Sequence, residues 1–153
     1  MRIERTFDSK VIDSVLKHKD IAPFIGDDSS GKLDINYPIV DSIYYLAIYD
    51  DSDIAGIFAF VVINGITLDG HTNILPRFRG EKSIEAARLG LKWVFDNTKF
   101  VKINGSTPIY NKRAIAFNKK IGFEVEGINK GSIMKDGKLY DQIYFGLERS
   151  KWA

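Results

Sequence analysis

Leu75-Pro76-Arg77-Phe78-Arg79-Gly80-Glu81-Lys82-Ser83 sets a basic, glycine-containing turn between a strand-like run and a long helical one. The first N–H groups of a helix have no partner inside it, and the helix dipole leaves partial positive charge there. Arg77, Arg79 and Lys82 add full charges, so the turn is suited to holding a phosphate. The plainer alternative is a strand-to-helix turn with solvated basic residues. Two common phosphate loops do not fit. A P-loop needs glycine directly before the lysine and again five residues earlier, where Glu81 and Pro76 stand. A dinucleotide fingerprint needs three glycines, and this turn has one.

For proton transfer the candidate is His71, whose ordinary pKa of ~6.5 leaves it mostly neutral at physiological pH. On a regular strand it shares one face with Asn73 and Leu75. A structural strand histidine is the alternative. The other histidine, His18, falls on an outer helix, and two distant histidines without any cysteine make no metal-ligand cluster. The lack of cysteine also removes disulfides and a thiol nucleophile, and suits a reducing compartment.

The elements that must position these residues follow from periodicity. Residues 2–6 alternate as a short strand, and Asp8 can cap a helix with the apolar stripe Val11, Ile12, Val15, Leu16, ending before Pro23. Asp20 to Asp41, with Asp27, Asp28 and Asp34 between, is predicted as a long acidic loop. It is either a solvated surface or a steering field for a cationic acceptor. Ile43–Tyr49, Ile54–Ile63 and Ile66–Leu75 form a three-strand meander, with Tyr44, Tyr45, Phe58 and Phe60 as sheet core. From Gly80 the period becomes helical through Ile84, Ala87, Leu91, Val94 and Phe95. A strand over Phe100–Ile103, a helix over Asn111–Ile121 and an extended Phe123–Val125 come next. The chain closes with Ser132–Lys135 and Leu139–Leu147 as a hairpin around Asp136-Gly137. This order predicts an α/β fold with a mixed, mostly antiparallel central sheet flanked by helices.

All 153 residues are read as one domain, since no linker-like segment divides them. With 22 Lys+Arg against 20 Asp+Glu, the net charge of +2 gives no reason to expect nucleic acid. The longest apolar run, Ile54–Ile63, is half of the ~20 residues a membrane span requires, and the charged start Met1-Arg2-Ile3-Glu4-Arg5 lacks an export signal's apolar centre. A cytoplasmic protein is expected, and exposed strand edges leave a homodimer open.

Arg77-Phe78-Arg79-Gly80-Glu81-Lys82 resembles the Gln/Arg-x-x-Gly-x-Gly/Ala pyrophosphate signature of the GCN5-related N-acetyltransferases (GNAT) and meets three of its four requirements. Asn111 to Gly127 is similar to that family's Asn-containing helix followed by Gly-Phe, and the final hairpin with Tyr140-Asp141 looks like the ribosomal-protein N-terminal acetyltransferase branch. The resemblance covers residues 43–147 well; the first forty match only in element order.

It implies acetyl-coenzyme A as cosubstrate, without a metal, its pyrophosphate on the N–H groups of Arg79, Gly80, Glu81, Lys82 and Ser83, and Ile74 and Leu75 facing the pantetheine. Asn111 would bond the cofactor arm, cap its helix, or do both. Two positions depart from the pattern. Lys82 replaces the second glycine, and if that position requires φ > 0 the strain costs about 1–2 kcal/mol. A charged hydrogen bond from Lys82 to phosphate would offset about 1.5–3 kcal/mol. Asn118 stands where many relatives carry the tyrosine that protonates the leaving thiolate. Asn118 itself, or a hydroxyl from Tyr110 or Tyr144, would have to assist, although a thiol of pKa ~8.5 departs tolerably unaided.

The implied reaction is direct acetyl transfer to a primary amine, in a small molecule or a protein N-terminus. A weak base favours an α-amino group near pKa ~7.7–8.0 over a lysine near ~10.4. The competing reading, supported by Lys82 and Asn118, is a binding or structural protein that retains the fold, such as a phage virion or head-assembly component.

Overall fold

A computed structural model describes residues 1–25 and 36–152. Of the acidic loop, Asp27, Asp28 and Asp34 lie outside the described residues. The elements in order are β1 (Arg2–Arg5), α1 (Ser9–Leu16), α2 (Ala22–Ile25), β2 (Ile43–Asp50), β3 (Asp53–Val62), β4 (Thr67–Ile74), α3 (Glu81–Asn97), β5 (Lys102–Pro108), α4 (Lys112–Lys120), β6 (Glu124–Lys135) and β7 (Lys138–Glu148).

These seven strands form one sheet in the order β1-β2-β3-β4-β5-β7-β6. Five neighbouring pairs are antiparallel, and β4 with β5 is parallel. The α/β class and mixed, mostly antiparallel sheet expected from the sequence are therefore present. The hairpin turn at Asp136-Gly137 has φ of 52° and 75°, the paired positive angles that let a two-residue turn follow the strand twist.

Strand alternation builds a core on each face of the sheet. On one face Leu46, Ile48, Phe58, Phe60, Leu68 and Ile103 pack with Ala86, Ala87, Leu91 and Val94 of α3. On the other, Tyr45, Ala47, Ile57 and Ala59 pack with Ile12, Val15 and Leu16 of α1 and with Ile21. Helix α3 lies close to β3: a Cβ added at Gly90 would stand 2.4 Å from Phe58 Cδ2.

Two strands differ from the sequence expectation. β5 runs to Pro108 rather than stopping at Ile103, because β7 supplies partners along its length and a proline at a strand end withdraws no needed donor. β6 is continuous from Glu124 to Lys135, where two short pieces were expected. Its polar, glycine-containing middle is accommodated by register shifts between Val125 and Gly127 and between Asn129 and Ile133, and Gly131 takes φ 57°.

The feature that matters for function lies between β4 and β5. They pair only over Thr67–Asp69 with Lys102–Asn104. Beyond that point β4 continues along β3 to Ile74, while β5 continues along β7 to Pro108. The sheet splits there. Backbone groups of both strands lose their mutual partners and border an opening instead.

Candidate active site

The split opens into a cavity of about 420 Å³ whose walls come from both faces of the sheet. Ala87, Leu91, Ala114 and Asn118 line it from the α3 and α4 side; Leu16, Ile43 and Tyr45 line it from the α1 side. Gly70 to Asn73 of β4 and Gly105 to Pro108 of β5 form the edges of this passage through the sheet. A second cavity of about 460 Å³ lies between the starts of α3 and α4, and shares Phe24, Thr72, Asn73, Asn111 and Ala114 with the first.

The start of α3 forms one wall of the second cavity through Arg79, Gly80, Glu81, Ser83 and Ile84. Its N-cap is Gly80, with φ 84° and ψ −138°, a conformation nearly confined to glycine. No side chain caps this end; intrahelical bonding begins with the Ser83 N–H to the Gly80 carbonyl at 3.1 Å, and the Ser83 hydroxyl donates to the same oxygen at 2.6 Å. The earlier helical N–H groups are left for the cavity.

Of the three basic residues in this turn, only Arg79 lines the cavity. Burial, then the nearby Arg113 charge, lower its pKa, with Asp20 opposing. Two guanidiniums held together at the edge of a cavity favour an anion between them. Arg77 instead pairs with Asp53 at 2.8 Å and lies over the Phe78 ring. The Lys82 ammonium pairs with the Asp50 carboxylate, each holding the other in its charged form chiefly through their hydrogen bond. Position 82 lies inside α3 and is not among the positive-φ residues, so the conditional strain weighed for this substitution does not arise.

Ile74 is buried and lines the second cavity, whereas Leu75 packs into both cores. The Asn111 side chain caps α4 by accepting the Ala114 N–H at 3.2 Å, and the residue borders both cavities. Asn118 lines the passage and donates through Nδ2 to the Thr107 hydroxyl at 3.0 Å. His71 also lines it and bonds Asp69 through Nε2 at 2.9 Å. Asp69 is the last β4 residue paired with β5, so this dyad stands where the sheet opens.

Tyr110 and Tyr144 lie outside the lining of both of these cavities. The Tyr110 ring meets Tyr140 edge to face at 4.9 Å, and Tyr144 shares a hydrogen bond with Asn129.

Arg113, Lys120, Phe24 and Tyr37 line the cavities without having been singled out from the sequence. Arg113, Phe117 and Lys120 recur at helical spacing on α4, a pattern that marks one face. Tyr37 belongs to no regular element, so periodicity gives no signal for it.

This architecture is shared with known acetyltransferases. The spermidine N-acetyltransferase of Vibrio cholerae, in complex with CoA and spermine, superposes with a TM-score of 0.79 at 14% identity, covering 99% of this chain and 96% of that one. A K23-Q34 chimera of the Vibrio cholerae enzyme SpeG and hSSAT gives 0.79 at 18% identity, covering 99% and 98%. The fold is thus that of the N-acetyltransferases. By sequence, the chain is similar to the SPbeta prophage-derived uncharacterized N-acetyltransferase YokL of Bacillus subtilis strain 168, 27% identical over 116 residues. That match takes in 73% of this chain and 65% of the relative, just under two thirds of its length. Residues 12–122 match the family model described as protein of unknown function (DUF2824), and the chain belongs to that family.

Proposed function

We propose that this chain is an acetyl-coenzyme A-dependent N-acetyltransferase that passes the acetyl group directly to a primary amine. The observation that carries the reading is the uncapped, arginine-flanked start of α3, which opens into a cavity that shares Thr72, Asn73, Asn111 and Ala114 with the cavity at the split between β4 and β5. The cavity fits the cosubstrate chemically: helix N–H groups, Arg79 and Arg113 suit a pyrophosphate, and Ile74, Ile84 and Phe117 suit an uncharged arm. The acetyltransferase relatives support the same assignment.

Acetyl-coenzyme A supplies an activated thioester. The chain's own residues hold it at the α3 side, while the passage admits an amine from the α1 side. The amine nitrogen forms the new C–N bond as the C–S bond breaks. The nitrogen proton goes to His71, and the sulfur leaves as thiolate. With His71 Nε2–H donated to Asp69, Nδ1 is the atom free to accept that proton. Asp69 is a positioning residue in this scheme. Asn118 is already committed to Thr107, so positioning of the reactants provides most of the rate.

Calorimetric titration with acetyl-coenzyme A tests the reading, comparing the native chain with the Arg79→Ala, Arg113→Ala double variant. The expected result is micromolar binding that weakens by about tenfold or more, ~1.4 kcal/mol. Absence of binding at millimolar cosubstrate would overturn it. The second reading, a catalytically inactive phage structural or binding protein, draws on Asn118 and on the prophage origin of the Bacillus relative. Binding without thiol release in the presence of any amine would favour it.

A further inference from the structure

The α1-side mouth of the passage is built from Leu16, Phe24, Tyr37, Ile43 and Tyr45, with His71 on the β4 edge. Burial raises the pKa of both phenols, so they remain neutral, and the Tyr45 hydroxyl is occupied by donation to the Pro38 carbonyl at 3.0 Å. No Asp, Glu, Lys or Arg is among the described residues lining this cavity. Such walls reward apolar contact, and among the described lining residues no carboxylate stands to pair with a second ammonium group on an acceptor. Phe24 adds a positive indication: its ring is 62% exposed yet borders both cavities, the position of an aromatic side chain that a ligand would cover.

We infer that the acceptor is a single α-amino group carried on an aromatic or large apolar body, an amino-acid derivative or a peptide N-terminus of that kind, and not a polyamine. This rests on the acetyltransferase reading and adds the substrate class to it. An α-amino group of pKa ~7.7–8.0 is substantially neutral near pH 7.5, whereas primary amines near ~10.4 are almost wholly charged and would have to shed a proton in an uncharged cavity.

Thiol release from acetyl-coenzyme A would be followed with phenylalaninamide, alaninamide, spermidine, and a tetrapeptide amide beginning with phenylalanine and continuing with alanines. Phenylalaninamide is expected to exceed both alaninamide and spermidine in kcat/KM by about tenfold, a difference of the size a buried ring provides. The tetrapeptide separates the two sources: comparable turnover points to protein N-termini, and its exclusion points to a free amino-acid derivative. Phe24→Ala, a change at an exposed position, should lower the phenylalaninamide-to-alaninamide ratio about threefold or more, and the ratio cancels any effect on cosubstrate binding. Preference for spermidine, or equal use of phenylalaninamide and alaninamide, would overturn the inference while leaving acetyl transfer standing. If no amine is turned over, calorimetry of the same amines against the coenzyme A-loaded protein decides: selective binding of phenylalaninamide supports the pocket, and its absence sinks it. Failure of coenzyme A itself to bind removes the activity and this inference together.

Discussion

At the start of α4 the Asn111 side chain accepts the Ala114 N–H, while at the start of α3 the cap is Gly80, which has no side chain to offer. Helix α1 resembles α4, with Asp8 accepting the Lys10 N–H at 2.9 Å. Three helices thus meet the same requirement in two ways. Where the chain satisfies its own amides, the helix end is a structural joint. Where it leaves them open at a cavity, beside two arginines, the helix end can act on a ligand. The flanking cations sharpen this contrast. Arg77 and Lys82 are engaged by Asp53 and Asp50 at the β2–β3 turn, so the cations that line the cavity are Arg79 from the α3 turn and Arg113 and Lys120 from α4, with Asp20 and Glu81 as the carboxylates among them.

The largest break in this comparison should come from Gly80→Ala. Open space surrounds the position, so a methyl group meets no neighbour, but φ 84° with ψ −138° strains any other residue by about 1–3 kcal/mol. Urea unfolding should show that loss, and acetyl-coenzyme A affinity should fall by about tenfold or more as the open amides turn from the cavity. Unchanged affinity would separate the helix start from the binding site.

A smaller effect is expected at the capped end. Asn111→Ala leaves the Ala114 N–H without its acceptor and should cost about 1 kcal/mol in urea unfolding. Affinity for acetyl-coenzyme A should stay within about twofold, ~0.4 kcal/mol and less than half of that cost. A drop well beyond this would show that Asn111 also reaches the cosubstrate.

The smallest effect belongs to Lys82→Ala. Its ammonium is solvent-exposed and turned to Asp50, so removing it should shift affinity by less than about twofold. Loss matching that of the Arg79 and Arg113 double variant would mean that Lys82 leaves Asp50 for the phosphate.

Much of the fold was legible because the signals were local. Asp8 and Asn111 announced their caps, Asp136-Gly137 its turn, and Ile84 to Phe95 a helix by spacing alone. The middle of β6 was not legible, since Gly127 and Gly131 resemble loop residues until β7 provides the ladder that holds them. The basic turn was found from sequence as well, but its charges could not be apportioned there. Nothing local to Lys82 says that Asp50, thirty-two residues earlier, will take its ammonium, or that Arg113 will stand beside Arg79.

The sequence by itself determined most of the elements, their order and the glycine-started helix, because backbone preference and hydrophobic period act over a few residues. Tertiary structure alone decided where β4 parts from β5, which cations face the cavity, and that Leu16, Tyr37, Ile43 and Tyr45 converge with His71. Those outcomes depend on strand register and on packing between residues far apart in the chain, where chain closure and burial, not local propensity, set the free energy.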